Sequence, residues 1–206
     1  MARVHVQSLG ILENKYLSQL HKPLVIVIDM VKGFVYEGAL HDAAIADIAA
    51  PIRQLLDSGV SRIFFADCHT DSAVEFASYP KHCVKGTSES EIIEELKPYA
   101  ERILEKNSTN GFISAGWQDF LKDSLSDYED IIVTGCCTDI CVMQFALCMR
   151  TWLNDQNRSG RVIIPVDMVD TYHIDDIHDV NACNLFALNN MKMNGIELCK
   201  TVEKGL

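Results

Sequence analysis

No stretch of this 206-residue chain reaches the unbroken apolar length that a bilayer-spanning helix needs. Its opening, Met1-Ala2-Arg3-Val4-His5, lacks the charged-then-apolar layout of a secretory signal, so a cytoplasmic protein with no membrane partner is expected. Basic residues are scarce. The 18 Lys and Arg stand against 29 Asp and Glu, for a net charge of -11, and no local Lys/Arg cluster offsets that average. This argues against a nucleic-acid partner, whose phosphate backbone requires a cationic surface. A paired C-x-x-C is also missing, which removes the usual sign of a structural zinc site built from thiolates. The eight cysteines lie mostly in apolar contexts such as Phe145-Ala146-Leu147-Cys148-Met149, so reduced thiols are expected rather than a disulfide framework. Internal repeats and low-complexity linkers are absent. With 48% hydrophobic and 23% charged residues, residues 1–206 read as one globular domain, with 1–22 as an irregular or short helical lead-in.

What is present is an alternation of apolar runs and amphipathic stretches. Pro23 to Ile28 is an unbroken Val/Ile-rich run ending at Asp29, the mark of a central parallel strand covered on both faces. Ile45, Ile48, Ala49, Ile52, Leu55 and Leu56 keep helical spacing from Asp42 to Ser58, and Gly59 supplies a stop. A second strand runs from Val60 to Ala66 and closes on Asp67. Thr70 to Ser90 is a long loop of the kind that usually carries function. The pattern then predicts a short helix at Glu89 to Leu96, a strand from Arg102 to Lys106 and a helix from Ile113 to Leu125. There follow a strand from Asp130 to Gly135, a helix from about Thr138 to Leu153, a strand from Arg161 to Val166, a helix from His173 to Asn190 and an edge strand at Gly195 to Cys199. The expected fold is a three-layer α/β/α domain, doubly wound on a mainly parallel sheet of about six strands.

Such sheets place ligands outside the carboxyl ends of their strands. Asp29, Asp67, Lys106 and the turn Gly135 to Cys141 all fall there, so they should converge on one crevice. Cys141 lies where the Ile131-Ile132-Val133 strand passes into a helix carrying Val142, Phe145, Ala146, Met149 and Trp152. A first helical turn, with unpaired N–H groups and the positive end of the macrodipole, favours a thiolate. Taken alone, a cysteine here is more commonly a small buried hydrophobe. Asp29 as base and Lys106 as a cation to steady negative charge complete a nucleophilic set without a histidine.

A second constellation joins Asp67-x-His69 to His82 downstream, with Glu75 in the same loop as a fourth ligand candidate. Alternation in an extended D-x-H segment points both side chains the same way. Nitrogen and oxygen donors suit one divalent ion, zinc first, with manganese or iron as alternatives.

On these residues the chain resembles the isochorismatase-like cysteine hydrolases, and within them the nicotinamidase branch. The resemblance runs from about Pro23 to Gly195. It rests on Ile28-Asp29-Met30 with Phe34 and Gly38-Ala39-Leu40, on Asp67-Cys68-His69, on Tyr79-Pro80-Lys81-His82-Cys83-Val84-Lys85-Gly86-Thr87, on Lys106, and on Thr134-Gly135-x-x-Thr138-Asp139-Ile140-Cys141-Val142. It implies a triad of Asp29, Lys106 and Cys141, metal held by Asp67, His69 and His82, and Glu75 as a ligand found in only some relatives. It implies a cis peptide joining Cys136 to Cys137, which would aim the N–H groups of Cys137 and Cys141 at one point as an oxyanion hole. It also implies a small heteroaromatic amide as substrate, Phe34 and Tyr79 as walls, and a homo-oligomer, since oligomerisation is common in the family. Many relatives have tryptophan where Cys68 stands and another aromatic where Tyr79 stands, and the segment Asn107 to Phe112 matches loosely. Other readings are a family hydrolase acting on another small amide, or a catalytically silent binding protein.

Two features stand apart. His173-Ile174-Asp175-Asp176-Ile177-His178-Asp179 concentrates ligand-type side chains, yet acids there fit a helix start. Cys148, Cys183 and Cys199 read as core residues.

Overall fold

The computed structural model describes residues 9–205, so the first eight residues of the expected lead-in lie outside it. The remainder of that lead-in forms a short strand, β1 (Lys15–Tyr16), and a 3₁₀ turn at Leu17–Gln19. Three long strands follow the apolar runs closely: β2 (Leu24–Ile28), β3 (Ser61–Asp67) and β5 (Asp130–Cys136), with β4 (Ile103–Lys106) between the last two. After these come β6 (Arg161–Pro165), β7 (Val169–Asp170), β8 (Glu197–Cys199) and β9 (Val202–Glu203). The main sheet has seven strands, ordered β4-β3-β2-β5-β6-β8, with β7 pairing beside β5 and every pairing parallel. β1 and β9 form a separate parallel pair. The extra strand relative to the expected six is β7, too short to leave a periodic signal.

The sheet is covered on both sides, and β2 shows why its sequence is apolar throughout. Val25 and Val27 enter one buried cluster with Phe64, Ile48 and Ile52, whereas Leu24, Ile26 and Ile28 enter the other with Phe65, Trp117 and Phe145. Alternate side chains of a strand face opposite layers, so a strand sandwiched between two helical layers has no polar face to spare. Each fully buried aliphatic side chain contributes about 1.5–3 kcal/mol relative to an exposed one.

The helices are α1 (Lys32–Val35), α2 (Ala49–Leu56), α3 (Ala115–Asp123), α4 (Met143–Asp155) and α5 (Val180–Met193). Several are shorter than the periodicity predicts. Residues Ala43–Ile48 form a 3₁₀ run capped by Asp42, and the α-helix proper begins at Ala49, which leaves Pro51 in the first turn, where its missing N–H costs nothing. No helix spans Glu89 to Leu96. There Ile92 bridges Val31 and the Ile93 N–H donates to the Met30 carbonyl, so pairing with the chain after β2 overrides the helical spacing. Likewise His173 to Asp179 is not a helix start. Ile174 and His178 pair across a tight turn, and Asp179 caps α5 by accepting the Ala182 N–H. Among the described residues no helix is long and apolar enough to cross a membrane.

Candidate active site

The carboxyl ends of β2 to β5 deliver the site. Asp29 follows β2 in a left-handed backbone conformation (φ 50°), and its N–H donates to the Phe65 carbonyl of β3. Asp67 and Lys106 are register partners at the ends of β3 and β4. Gly135 of β5 pairs with Ile28, and its φ of 104° is one that favours glycine. A Cβ there would sit 1.9 Å from the Ile28 carbonyl oxygen, so only glycine lets β5 come this close to the end of β2. The next peptide, Cys136–Cys137, is cis, and the Cys136 thiol donates to the Asp29 carbonyl at 3.1 Å.

Cys141 is not in the first turn of an α-helix as expected. It lies in a π-helical turn, Thr138–Val142, closed by the Val142 N–H donating to the Cys137 carbonyl, and α4 starts only at Met143. Such π-turns place one extra residue in the turn and re-aim its side chains. Cys141 is buried, as are Asp29, Asp67, His69, His82 and Lys106.

Lys106 is the electrostatic centre. Its Nζ lies 2.8 Å from Asp29 Oδ2, 2.6 Å from Asp67 Oδ1 and 3.7 Å from Cys141 Sγ, and it also donates to the Ser108 carbonyl at 3.1 Å. Burial alone would lower its pKa, but the two carboxylates outweigh burial and hold the ammonium charged. Asp29 is pushed up to about 6, first by burial and then by the neighbouring Asp67 charge, with Lys106 opposing. Burial also raises the Cys141 thiol, and Lys106 only partly offsets it. The resting group is therefore a thiol rather than the thiolate its sequence position suggested. Cys141 Sγ and one oxygen of each of Asp29 and Asp67 lie within 4.8 Å of one another, so a carboxylate stands within reach of the thiol proton.

On the other side of Asp67, its Oδ2 lies 3.3 Å from His69 Nε2 and 3.5 Å from His82 Nε2, and His69 Nε2 lies 3.6 Å from Glu75 Oε1. One donor atom from each of the four residues falls within 4.8 Å of the others. Although burial opposes it, Lys106 and the two imidazoles hold the Asp67 carboxyl well below the usual range. Two observations fit a metal ion here. His69 Nε2 and Glu75 Oε1 are buried with no hydrogen-bond partner among the described residues, and His82 Nδ1 sits 2.7 Å from the Pro80 carbonyl, a contact that leaves Nε2 free as a donor atom to a metal. The remaining Glu75 oxygen accepts the Thr109 N–H at 2.9 Å.

Cys141, Asp67, Glu75 and His82 line one narrow cleft, whose walls also include Phe34, Tyr79, Thr109, Ile140 and Tyr172. Phe34 and Tyr79 flank His82, with ring centroids 5.6 and 6.2 Å away. Sequence reasoning missed Phe76, whose ring meets the edges of both His69 and His82, and Tyr172. Tyr172 comes two residues after β7, so the strand-end rule would have found it had that strand been visible.

The chain has relatives of known structure and name. It is 30% identical over 169 residues to Nicotinamidase 1 of Arabidopsis thaliana, an alignment covering 72% of this chain and 66% of the plant protein, just under two thirds of its length. It superimposes with a TM-score of 0.71 on a nicotinamidase of Acinetobacter baumanii at 21% identity, covering 88% of this chain and 97% of the other. An N-carbamoylsarcosine amidase of Thermoplasma acidophilum gives a TM-score of 0.68 at 25% identity, with coverage of 87% and 96%. The model of the Isochorismatase domain matches residues 23–199, which takes in the carboxyl ends of β2 to β5, and the chain accordingly belongs to the isochorismatase family.

Proposed function

We propose that this protein is a metal-containing amidohydrolase that converts nicotinamide, or a closely related heteroaromatic amide, to its acid and ammonia through a Cys141 thioester. The observation that carries this reading is that Cys141, with Lys106 and Asp29 clustered behind it, lines the same aromatic-walled cleft as Asp67, Glu75 and His82.

Asp29 takes the Cys141 thiol proton as the sulfur attacks the amide carbonyl, forming the S–C bond. Lys106 faces the negative charge that develops, together with the N–H groups of Cys137 and Cys141 beside the cis peptide. Collapse of the tetrahedral species breaks the C–N bond, and the proton on Asp29 leaves with ammonia. Asp29 then draws a proton from water, which attacks the thioester and releases the acid, returning the thiol. A pKa raised toward neutrality suits a group that must both accept and return a proton. Asp67, His69, His82 and Glu75 would hold a divalent ion, which would supply a Lewis acid for a ring nitrogen of the substrate. Phe34 and Tyr79 serve as walls for the ring.

The test is ammonia release from nicotinamide by metal-reconstituted protein, paired with intact-mass detection of an acyl adduct that Cys141→Ala lacks. No turnover with metal restored removes nicotinamide as the substrate. The fold shared with the carbamoylsarcosine amidase favours a second reading, hydrolysis of another small amide, which a panel of aliphatic and ureido amides separates from the first. Absence of any adduct on Cys141 across the panel would reduce the protein to a binding module.

A further inference from the structure

Beyond the cleft, the segment of residues 173–179 brings a second set of unlike donors together. His178 Nε2 lies 2.8 Å from Asp139 Oδ2, and its Nδ1 lies 2.9 Å from the Tyr172 carbonyl, a contact that leaves Nε2 as the ligating nitrogen. One donor atom each from Asp139, His178 and Cys183 falls within 4.8 Å of the others. None of the three is used by the chemistry above. The side chains of His178 and Asp139 are only 14% and 12% exposed, and Asp139 Oδ1 is buried with no hydrogen-bond partner among the described residues.

The scaffold holds the set in place. His178 is fixed by its backbone pairing with Ile174 and by stacking on the Tyr172 ring, with centroids 4.1 Å apart and planes 23° from parallel. Asp179 caps α5 one residue later, and so fixes the helix whose first turns present Cys183. Asp139 belongs to the π-turn. The cysteine is only partly buried, contrary to its reading as a core residue, and its sulfur lies near a carboxylate and an imidazole.

We propose that Asp139, His178 and Cys183 form a second metal site, for a thiophilic divalent cation of the zinc class. In tetrahedral coordination the nitrogen and oxygen donors stand about 3.3 Å apart and the sulfur about 3.6 Å from each. The His178–Asp139 contact of 2.8 Å therefore needs to open slightly, while the thiol already lies within 4.8 Å of both donors. Binding places the ion between His178 Nε2 and Asp139 Oδ2 and releases the Cys183 thiol proton to solvent, and the fourth position is left for water. A bound ion would staple α5 and residues 172–179 to the turn that carries Cys141.

Cobalt(II) titration of the full chain distinguishes the two sites, because the first set contains no sulfur. The expected result is a near-ultraviolet thiolate-to-cobalt charge-transfer band that saturates with a second equivalent of metal. It should persist in His82→Ala, which lacks a ligand of the first site, and in Cys148→Ser. In Cys183→Ser it should vanish, with one equivalent of bound zinc lost. Any other pattern, including no band in the parent protein or a band retained in Cys183→Ser, overturns the assignment, and none of these outcomes depends on turnover of an amide.

Discussion

Lys106 reaches Asp67 across 2.6 Å and by that bond joins the thiol half of the cleft to the imidazole half. Asp67 turns one oxygen to the ammonium and the other to His69 and His82, so its charge is shared between two kinds of chemistry. Replacing Lys106 by methionine should therefore damage both. We expect at least a hundredfold loss of kcat/KM and a metal affinity about 10–100-fold weaker, since groups that orient ligands carry effects of that size. Two buried carboxylates left without their cation should also cost about 3–5 kcal/mol of stability, measured by denaturant unfolding of apoprotein. Unchanged metal affinity would show that Asp67 is held without Lys106.

In the proposed mechanism Asp29 sets the acid limb of activity. Its pKa is pushed up to about 6, so below that pH the carboxyl carries a proton and cannot take the one on Cys141. The value of kcat/KM should rise with pH, about tenfold per unit on the acid side, and level off above about 6. In Asp29→Asn the residual rate should lose that limb. A wild-type profile flat from pH 5 to 7 would contradict the role given to Asp29.

Removal of metal should loosen the loop from Thr70 to Ser90 more than the sheet. Chelation is expected to abolish turnover and lower the melting temperature, with both restored by zinc, manganese or iron. A free ion at about a hundred times its dissociation constant adds about 2.7 kcal/mol to the folded state. His82→Ala should lose that metal-dependent gain. Full stoichiometric retention at the first site in His82→Ala would remove His82 from the ligand set.

Gly135→Ala should be among the most damaging single-methyl additions in the chain. The new Cβ would lie 1.9 Å from a carbonyl oxygen of β2, in a backbone conformation that alanine resists. The expected loss is about 3 kcal/mol or more, read by thermal or denaturant unfolding, together with loss of activity as β2 and β5 move apart.

Much of this was legible in the chain itself, for identifiable reasons. The runs before Asp29, Asp67 and Gly135 are unbroken because both faces of their strands are buried, and that leaves a plain signal at the strand ends where Asp29, Asp67, Lys106 and Cys141 lie. What escaped notice was set by tertiary contact rather than by local pattern. Ile92 and Ile93 have helical spacing with Leu96, yet they pair with Val31 and Met30. Tyr172 follows a two-residue strand, and His178 meets Asp139 across 39 residues of chain. The protonated state of Cys141 could not be read from a helix-start pattern, because burial among carboxylates decides it.

The order of strands in the sheet has a consequence for when the proposed catalytic set comes together. Lys106 is 35 residues from Cys141 and 39 from Asp67 in sequence, and it stands on the outermost strand of its edge. In the proposed mechanism the base comes from the end of β2 and the cation from the end of β4, so a chain with β4 undocked would hold Cys141 without Lys106 beside it. Turnover by the proposed route would therefore require a completed sheet, and would itself report on correct assembly.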